Sequence, residues 1–188
     1  MKIGLFFGSF NPVTDGHIEV INESLKFVDK IIVIVSPQNP SKSVNELADF
    51  NHRYKMVELS LRNIQNVEVS DIEIHMSKPS YTYDTLQSIM NRNDEYYYIT
   101  GSDSLNGIKD WKEGMWILSN LNFICFLRDN LKIDKNTYDI IQYKLTLTKS
   151  NSILSSSLIR KMVLEDRKIS HLVPNGVSEY IDIFGLYK

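Results

Sequence analysis

Short apolar runs recur along this chain, each cut off by a glycine, a proline or a polar turn, and each followed by a segment with helical spacing. Ile3 to Phe7 ends at Gly8; Lys30 to Ser36 ends at Pro37 and Pro40; Tyr96 to Thr100 ends at Gly101. Leu121 to Leu127 and Tyr143 to Thr148 repeat the pattern. A strand covered on both faces has no polar side to present, so it reads as a continuous apolar run rather than an alternation. Between these runs, Ile18, Ile21, Leu25 and Val28 mark one helical stripe. Further helices are expected over Asn51 to Arg62, Tyr83 to Met90, Glu113 to Ser119, Ser156 to Glu165 and Val177 to Phe184. Val67 to Met76 alternates and predicts a strand or a bent pair of strands, whereas Asp129 to Asp139 is polar and carries no clear pattern.

Alternating strands and helices, without repeats or a Gly/Ser-rich linker, predict a single α/β domain over residues 1–188. Its core would be a Rossmann-like open, mostly parallel sheet with helices on both faces. Such sheets bind ligands beyond the carboxyl ends of their strands, where strand order reverses. The polar groups that follow the strands are therefore the ones to inspect.

Composition narrows the classes of partner. Twenty-one basic against 23 acidic residues leave a net charge of −2, which argues against binding nucleic acid or an anionic membrane through a broad basic surface. No run approaches the roughly 20 apolar residues of a membrane span, and MKIGLFF is too short for a signal peptide. A cytoplasmic location is expected. The lone cysteine, Cys125, sits inside an apolar run and reads as a buried, inert thiol.

GSFNPVTDGH, Gly8 to His17, joins the first strand to the first helix. Gly8 and Ser9 allow close backbone approach to a ligand, and Asn11-Pro12 sets a turn. Asp15 could cap the helix, leaving Gly16 and His17 in its first turn. A hydroxyl at Thr14 and an imidazole at His17, beside amide groups at a helix start, suit an anionic phosphate. The pattern is not GxGxxG, which disfavours a dinucleotide-dependent oxidoreductase. Near the other end of the chain, ILSSSLIRKM places three serines before a helical segment. Ser155 or Ser156 is the expected N-cap, with Arg160 one turn in and able to grip phosphate oxygens as a fork.

The first string resembles the T/HxGH signature of the nucleotidyltransferase superfamily, and ILSSSLIR resembles its ISSTxIR motif. Three further stretches are similar to the bacterial nicotinate mononucleotide adenylyltransferases. PSYTYDTL, Pro79 to Leu86, resembles their SYTxDTL. YYITGSDSLNGIKDW, Tyr97 to Trp111, matches their strand, GxD and downstream tryptophan. SPQNPSK with FNHRYKM, ICFLRDN and HLVPNGVSEYI extend the likeness to nearly the whole chain. Three positions depart from that pattern: Thr14 where histidine is usual, Asn11 where aspartate is usual, and Ser41 in place of the histidine before Lys42. The Thr14 form, as in GSFNPVT, is closer to the pantetheine phosphate adenylyltransferases.

The resemblance implies transfer of AMP from ATP to nicotinate mononucleotide in NAD biosynthesis. It places ATP against Gly8, Ser9, Phe10, Gly16, His17, Lys42, Gly101, Asp103, Ser155, Ser156 and Arg160, with His17, Thr14 and Arg160 catalytic. It places the acceptor against Thr82, Tyr83, Trp111, Lys112 and Arg128. Trp111 could stack on the pyridine ring, and amides near Thr82 and Lys112 could donate to the carboxylate. No His/Cys cluster suggests a resident metal, so Mg²⁺ is expected to arrive with ATP. His52, His75 and His171 are scattered and read as structural or exposed. Pantetheine phosphate and nicotinamide mononucleotide are the alternative acceptors, and a non-catalytic nucleotide-binding regulatory module is the alternative of another class. Homo-oligomerisation stays open.

Overall fold

The computed structural model describes residues 1–38, 47–77, 79–127, 133–149 and 154–188. Six strands form one sheet: β1 Lys2–Gly8, β2 Lys30–Val35, β3 Val67–Ser70, β4 Glu95–Gly101, β5 Asn122–Leu127 and β6 Leu145–Lys149. Their order is β3-β2-β1-β4-β5-β6, and every neighbouring pair is parallel. Strand order reverses between β1 and β4, so the loops leaving those two strands open the crevice of an open α/β sheet.

The period of two along each strand sorts the core into two layers. On one face Ile31, Val33, Val35, Ile99, Ile124 and Phe126 meet α1 (Asp15–Ser24), α2 (Phe50–Leu61), α7 (Ser156–Leu164) and α8 (Val177–Phe184). On the other, Ile3, Leu5, Ile34, Tyr96, Tyr98, Phe123 and Cys125 meet α3 (Thr82–Ile89), α4 (Ser102–Gly107), α5 (Gly114–Asn120) and α6 (Lys135–Ile141). Leu5, Ile31, Val33, Ile34 and Phe123 have no exposed surface. Among the described residues no helix is long and apolar enough to cross a membrane.

Three local expectations need correction. The alternating stretch after Val67 is a strand only to Ser70; a 3-10 turn, Ile72–His75, follows and rotates Glu73 into the interior. The polar stretch ending at Asp139 contributes to a helix, α6, held by the buried residues Thr137 and Ile141; residues 128–132 lie outside the described part. The first helix stops at Ser24, and Leu25 and Val28 reach the same core from its cap and the turn beyond.

Candidate active site

Thr14, not Asp15, caps the first helix. Asp15 takes the first helical position, where its N–H donates to the Leu172 carbonyl at 3.1 Å. His17 is the third helical residue, and its Nδ1 accepts the main-chain N–H of Thr14 at 3.0 Å. The Thr14 hydroxyl lies 2.9 Å from the same nitrogen. A main-chain N–H can only donate, so Nδ1 bears no proton. The imidazole proton therefore sits on Nε2, which makes His17 a donor from its far side. His17 thus plays the part that Glu or Gln takes in a capping box, with a ring that can also face an anion. Phe10 packs edge-on against it, with ring centroids 5.2 Å apart.

The loop before this helix is tightly fixed. Phe10 is buried and holds a left-handed backbone, φ 45°, which is unusual for a bulky residue. Its ring folds back over Gly8, where a Cβ would come within 2.7 Å of it. The missing side chain at Gly8 therefore makes room for the Phe10 ring. The Asn11–Pro12 peptide is cis. Asn11 is buried; its side-chain oxygen accepts from the Ala48 N–H and the Tyr187 hydroxyl, each at 3.0 Å. Ser9 is also buried, and its hydroxyl finds no hydrogen-bond partner among the described residues.

The second helix start converges on this loop. Ser155 caps α7, its hydroxyl accepting the Leu158 N–H. The Ser156 hydroxyl donates to the Pro12 carbonyl at 2.8 Å. Arg160 donates through Nη1 to the Asn11 carbonyl at 2.9 Å and through Nη2 to Ser157 Oγ at 3.3 Å. Two of the five guanidinium N–H groups are thus spent on the protein itself. The expected fork on phosphate is reduced to the remaining donors.

Gly101 and Asp103 follow β4, across the reversal point from the His17 loop. Gly101 is the N-cap of α4, and Asp103 is exposed in its first turn, where a carboxylate suits the helix dipole. On the same side of the sheet the acceptor candidates gather. Thr82 opens α3, with its side chain beside the buried Tyr98 hydroxyl. Trp111 is half-buried with its ring 6.3 Å from Tyr98. Lys112 places Nζ 2.7 Å from both carboxylate oxygens of Asp84 and 5.2 Å above the Tyr81 ring, and Asp84 raises its pKa. Tyr83 is partly buried and packs edge-on against Trp116, at 5.2 Å, beside the core. Lys42 and Arg128 lie outside the described residues. Gly16 is buried in the first turn of α1. His52 is tied to the Tyr180 hydroxyl at 3.0 Å, while His75 and His171 are exposed.

Two buried charged residues complete the site, and neither was assigned a role from sequence. Arg53 is 1% exposed. It donates to the carbonyls of Ser9, Ser36, Pro37 and Ala48 at 2.7 to 2.9 Å, so one guanidinium ties the His17 loop to the end of β2 and to the approach to α2. Burial lowers its pKa. The clue in the sequence is an arginine standing on the buried stripe of α2 with Met56, Val57 and Leu61. Glu73 is 2% exposed and accepts from Ser80 Oγ and Thr85 Oγ1, each at 2.9 Å. Its place in an alternating run gives no such clue. Among the described residues no group of three His, Cys, Asp or Glu could hold a metal ion.

Comparison with known proteins agrees with this geometry. Residues 5–162 match the Cytidylyltransferase-like family. A probable nicotinate-nucleotide adenylyltransferase of Caldicellulosiruptor bescii is 36% identical over the whole of both chains. One from Flavobacterium psychrophilum is 33% identical, again over the full length of both. The solved structure of Plasmodium falciparum nicotinic acid mononucleotide adenylyltransferase complexed with NaAD superposes with a TM-score of 0.82 at 26% identity, covering 99% of this chain and 97% of that one. On its sheet order, its converging helix starts and these full-length relatives, the chain belongs to the Cytidylyltransferase-like family, among the nicotinate-nucleotide adenylyltransferases.

Proposed function

We propose that this enzyme moves the adenylyl group of ATP onto the 5′-phosphate of nicotinate mononucleotide, giving nicotinate adenine dinucleotide and pyrophosphate. The observation that carries the reading is the docking of Ser156 and Arg160 on the Pro12 and Asn11 carbonyls, which brings two helix starts to one loop at the sheet's reversal point. A triphosphate needs such a place, since helix starts present amide donors to anions.

An oxygen of the acceptor phosphate forms the new bond to the α-phosphorus, and the bond from that phosphorus to the bridging oxygen of pyrophosphate breaks. The nucleophile is already anionic, so no protein nucleophile is required and catalysis reduces to alignment and charge stabilisation. His17, held by Thr14 with its proton on Nε2, donates to an α-phosphate oxygen as negative charge accumulates there. Arg160, steadied by Asn11 and Ser157, offers its remaining donors to the β- and γ-phosphates, and Lys42 adds a cation. The donors gathered here are hydroxyls, amides, an imidazole and a guanidinium, which fits a metal held chiefly by ATP. Mg²⁺ bound to the nucleotide would supply charge neutralisation on the leaving pyrophosphate, and Asp103, in the first turn of α4, helps bind the nucleotide. Trp111 and the first turn of α3 receive the nicotinate ring and its carboxylate.

The test is a panel of acceptors offered with ATP: nicotinate mononucleotide, nicotinamide mononucleotide and pantetheine phosphate, with pyrophosphate release as the readout. The acid is expected to turn over fastest. Preference for either other acceptor would overturn the acceptor assignment, and ATP binding without pyrophosphate release from any of them would overturn the enzymatic one.

A further inference from the structure

We propose that Glu73 is a positioning residue for the acceptor, its buried carboxylate stapling both ends of the turn that opens α3. The inference rests on the reading of α3 given above, in which the start of that helix receives the acceptor's acid group. Glu73 Oε2 accepts the Ser80 hydroxyl and Oε1 the Thr85 hydroxyl, both at 2.9 Å. Ser80 is 5% exposed and Thr85 is fully buried, so all three side chains are shut off from water. Between the two hydroxyls lie Tyr81 to Asp84, which include Thr82, beside the Tyr98 hydroxyl, and Asp84, paired with Lys112.

The choice of acid is informative. A buried carboxylate is expensive unless its oxygens are hydrogen-bonded, and an apolar residue of similar size would fill the space more simply. What the carboxylate adds is two acceptors in one rigid plane, which fix the separation of Ser80 and Thr85. The Thr85 hydroxyl also approaches the Tyr81 carbonyl at 3.3 Å, and that of Ser80 approaches the Gln38 carbonyl at 3.4 Å. Ser80 so placed ties the turn toward the segment after β2. With both ends fixed, the main-chain amides at the start of α3 are held in one orientation. A carboxylate ligand recognised by such amides is sensitive to their direction, since hydrogen bonds weaken steeply off line. Loss of the staple should therefore weaken acceptor binding and spare ATP, whose triphosphate is assigned to the His17 loop and the start of α7, neither of which Glu73 touches.

The experiment measures KM for nicotinate mononucleotide and for ATP, and kcat, in the full chain and in Thr85→Val, Ser80→Ala, Glu73→Gln and Glu73→Ala. Thr85→Val and Ser80→Ala each remove one donor and should raise KM for the acceptor about 3- to 10-fold, the span of one lost hydrogen bond. KM for ATP and kcat should stay within about twofold of wild type. Glu73→Ala should raise the acceptor KM further, and Glu73→Gln should restore most of it, because serine and threonine hydroxyls can donate to its oxygen and accept from its nitrogen. If Glu73→Ala does not fold, the two hydroxyl variants decide the matter. Equal rises in both KM values, or acceptor KM values unchanged across the hydroxyl variants, would overturn the proposal. A wild-type chain that fails to turn over nicotinate mononucleotide would remove the parent reading and this proposal together; a competent wild type with unaffected variants removes the proposal alone.

Discussion

The Nδ1 nitrogen of His17 is held by Thr14 twice, by the main-chain N–H at 3.0 Å and by the hydroxyl at 2.9 Å. The helix cap thereby sets the tautomer of the imidazole proposed to serve the α-phosphate, and in that reading local helix chemistry becomes catalytic preorganisation. His17→Ala should lower kcat by about 100- to 1000-fold, the scale for loss of one preorganised donor, with KM for both substrates little changed. Thr14→Val keeps the main-chain bond and should lose only about 3- to 10-fold, one hydrogen bond's worth. Steady-state rates on the two variants check the ranking, and Thr14→Val falling as far as His17→Ala would contradict it.

Arg53 predicts a different signature. Its guanidinium satisfies four main-chain carbonyls from three segments, and a smaller residue would leave them buried without donors. Arg53→Met should destabilise the fold by at least about 3 kcal/mol, given 1–3 kcal/mol for each unsatisfied buried group. Arg53→Lys, with a single point of donation in place of a fork, should recover only part of that. Urea unfolding of the three proteins measures it; a loss under about 1 kcal/mol in Arg53→Met would show that water replaces the guanidinium.

How much of this was legible beforehand follows from what a side chain can advertise. Buried parallel strands announce themselves as continuous apolar runs, so β1, β2, β4, β5 and β6 coincide with the expected runs to within two residues at either end, whereas β3 fills only the first part of its alternating stretch, the rest being a turn serving Glu73. The α6 helix was hidden because Thr137 and Ile141 alone hold it to the core. The converging strings around His17 and Arg160 were legible as motifs. Their mutual contacts were not, because Arg160, Ser156 and Arg53 all bind main-chain carbonyls, which every residue carries and no sequence marks.

Gly8 tests the packing of the His17 loop. A methyl group there would sit 2.7 to 3.1 Å from three atoms of the Phe10 ring, on a residue already held at φ 45°. The ring has little room to yield, since Phe10 is only 3% exposed. Gly8→Ala should therefore cost about 1–3 kcal/mol, as overpacking usually does, and should raise KM for ATP as the loop shifts. Thermal unfolding and ATP titration read the two effects. Wild-type stability with wild-type KM would show that the loop accommodates the methyl without moving.

Alkaline pH should weaken the fold through groups that burial keeps protonated. Cys125 rises from 9.0 to about 12, chiefly by desolvation, and Tyr97 from 10.0 to about 12. Burial raises Tyr54, Tyr98, Tyr180 and Tyr187 in the same direction. Each of these acids holds its proton more tightly in the folded chain than in the unfolded one. Above their ordinary values the folded state therefore binds more protons, and stability must fall as pH rises. The contribution is whole below pH 9 and is lost progressively from there toward pH 12. The midpoint of thermal unfolding should accordingly drop between pH 8.5 and pH 11. In parallel, Cys125 should resist a thiol-specific disulfide reagent at pH 8, where its thiolate fraction is on the order of one in ten thousand, and react at once in denaturant. Stoichiometric labelling of the native protein at that pH would contradict the buried thiol, and a flat melting profile across the alkaline range would contradict the desolvated tyrosines.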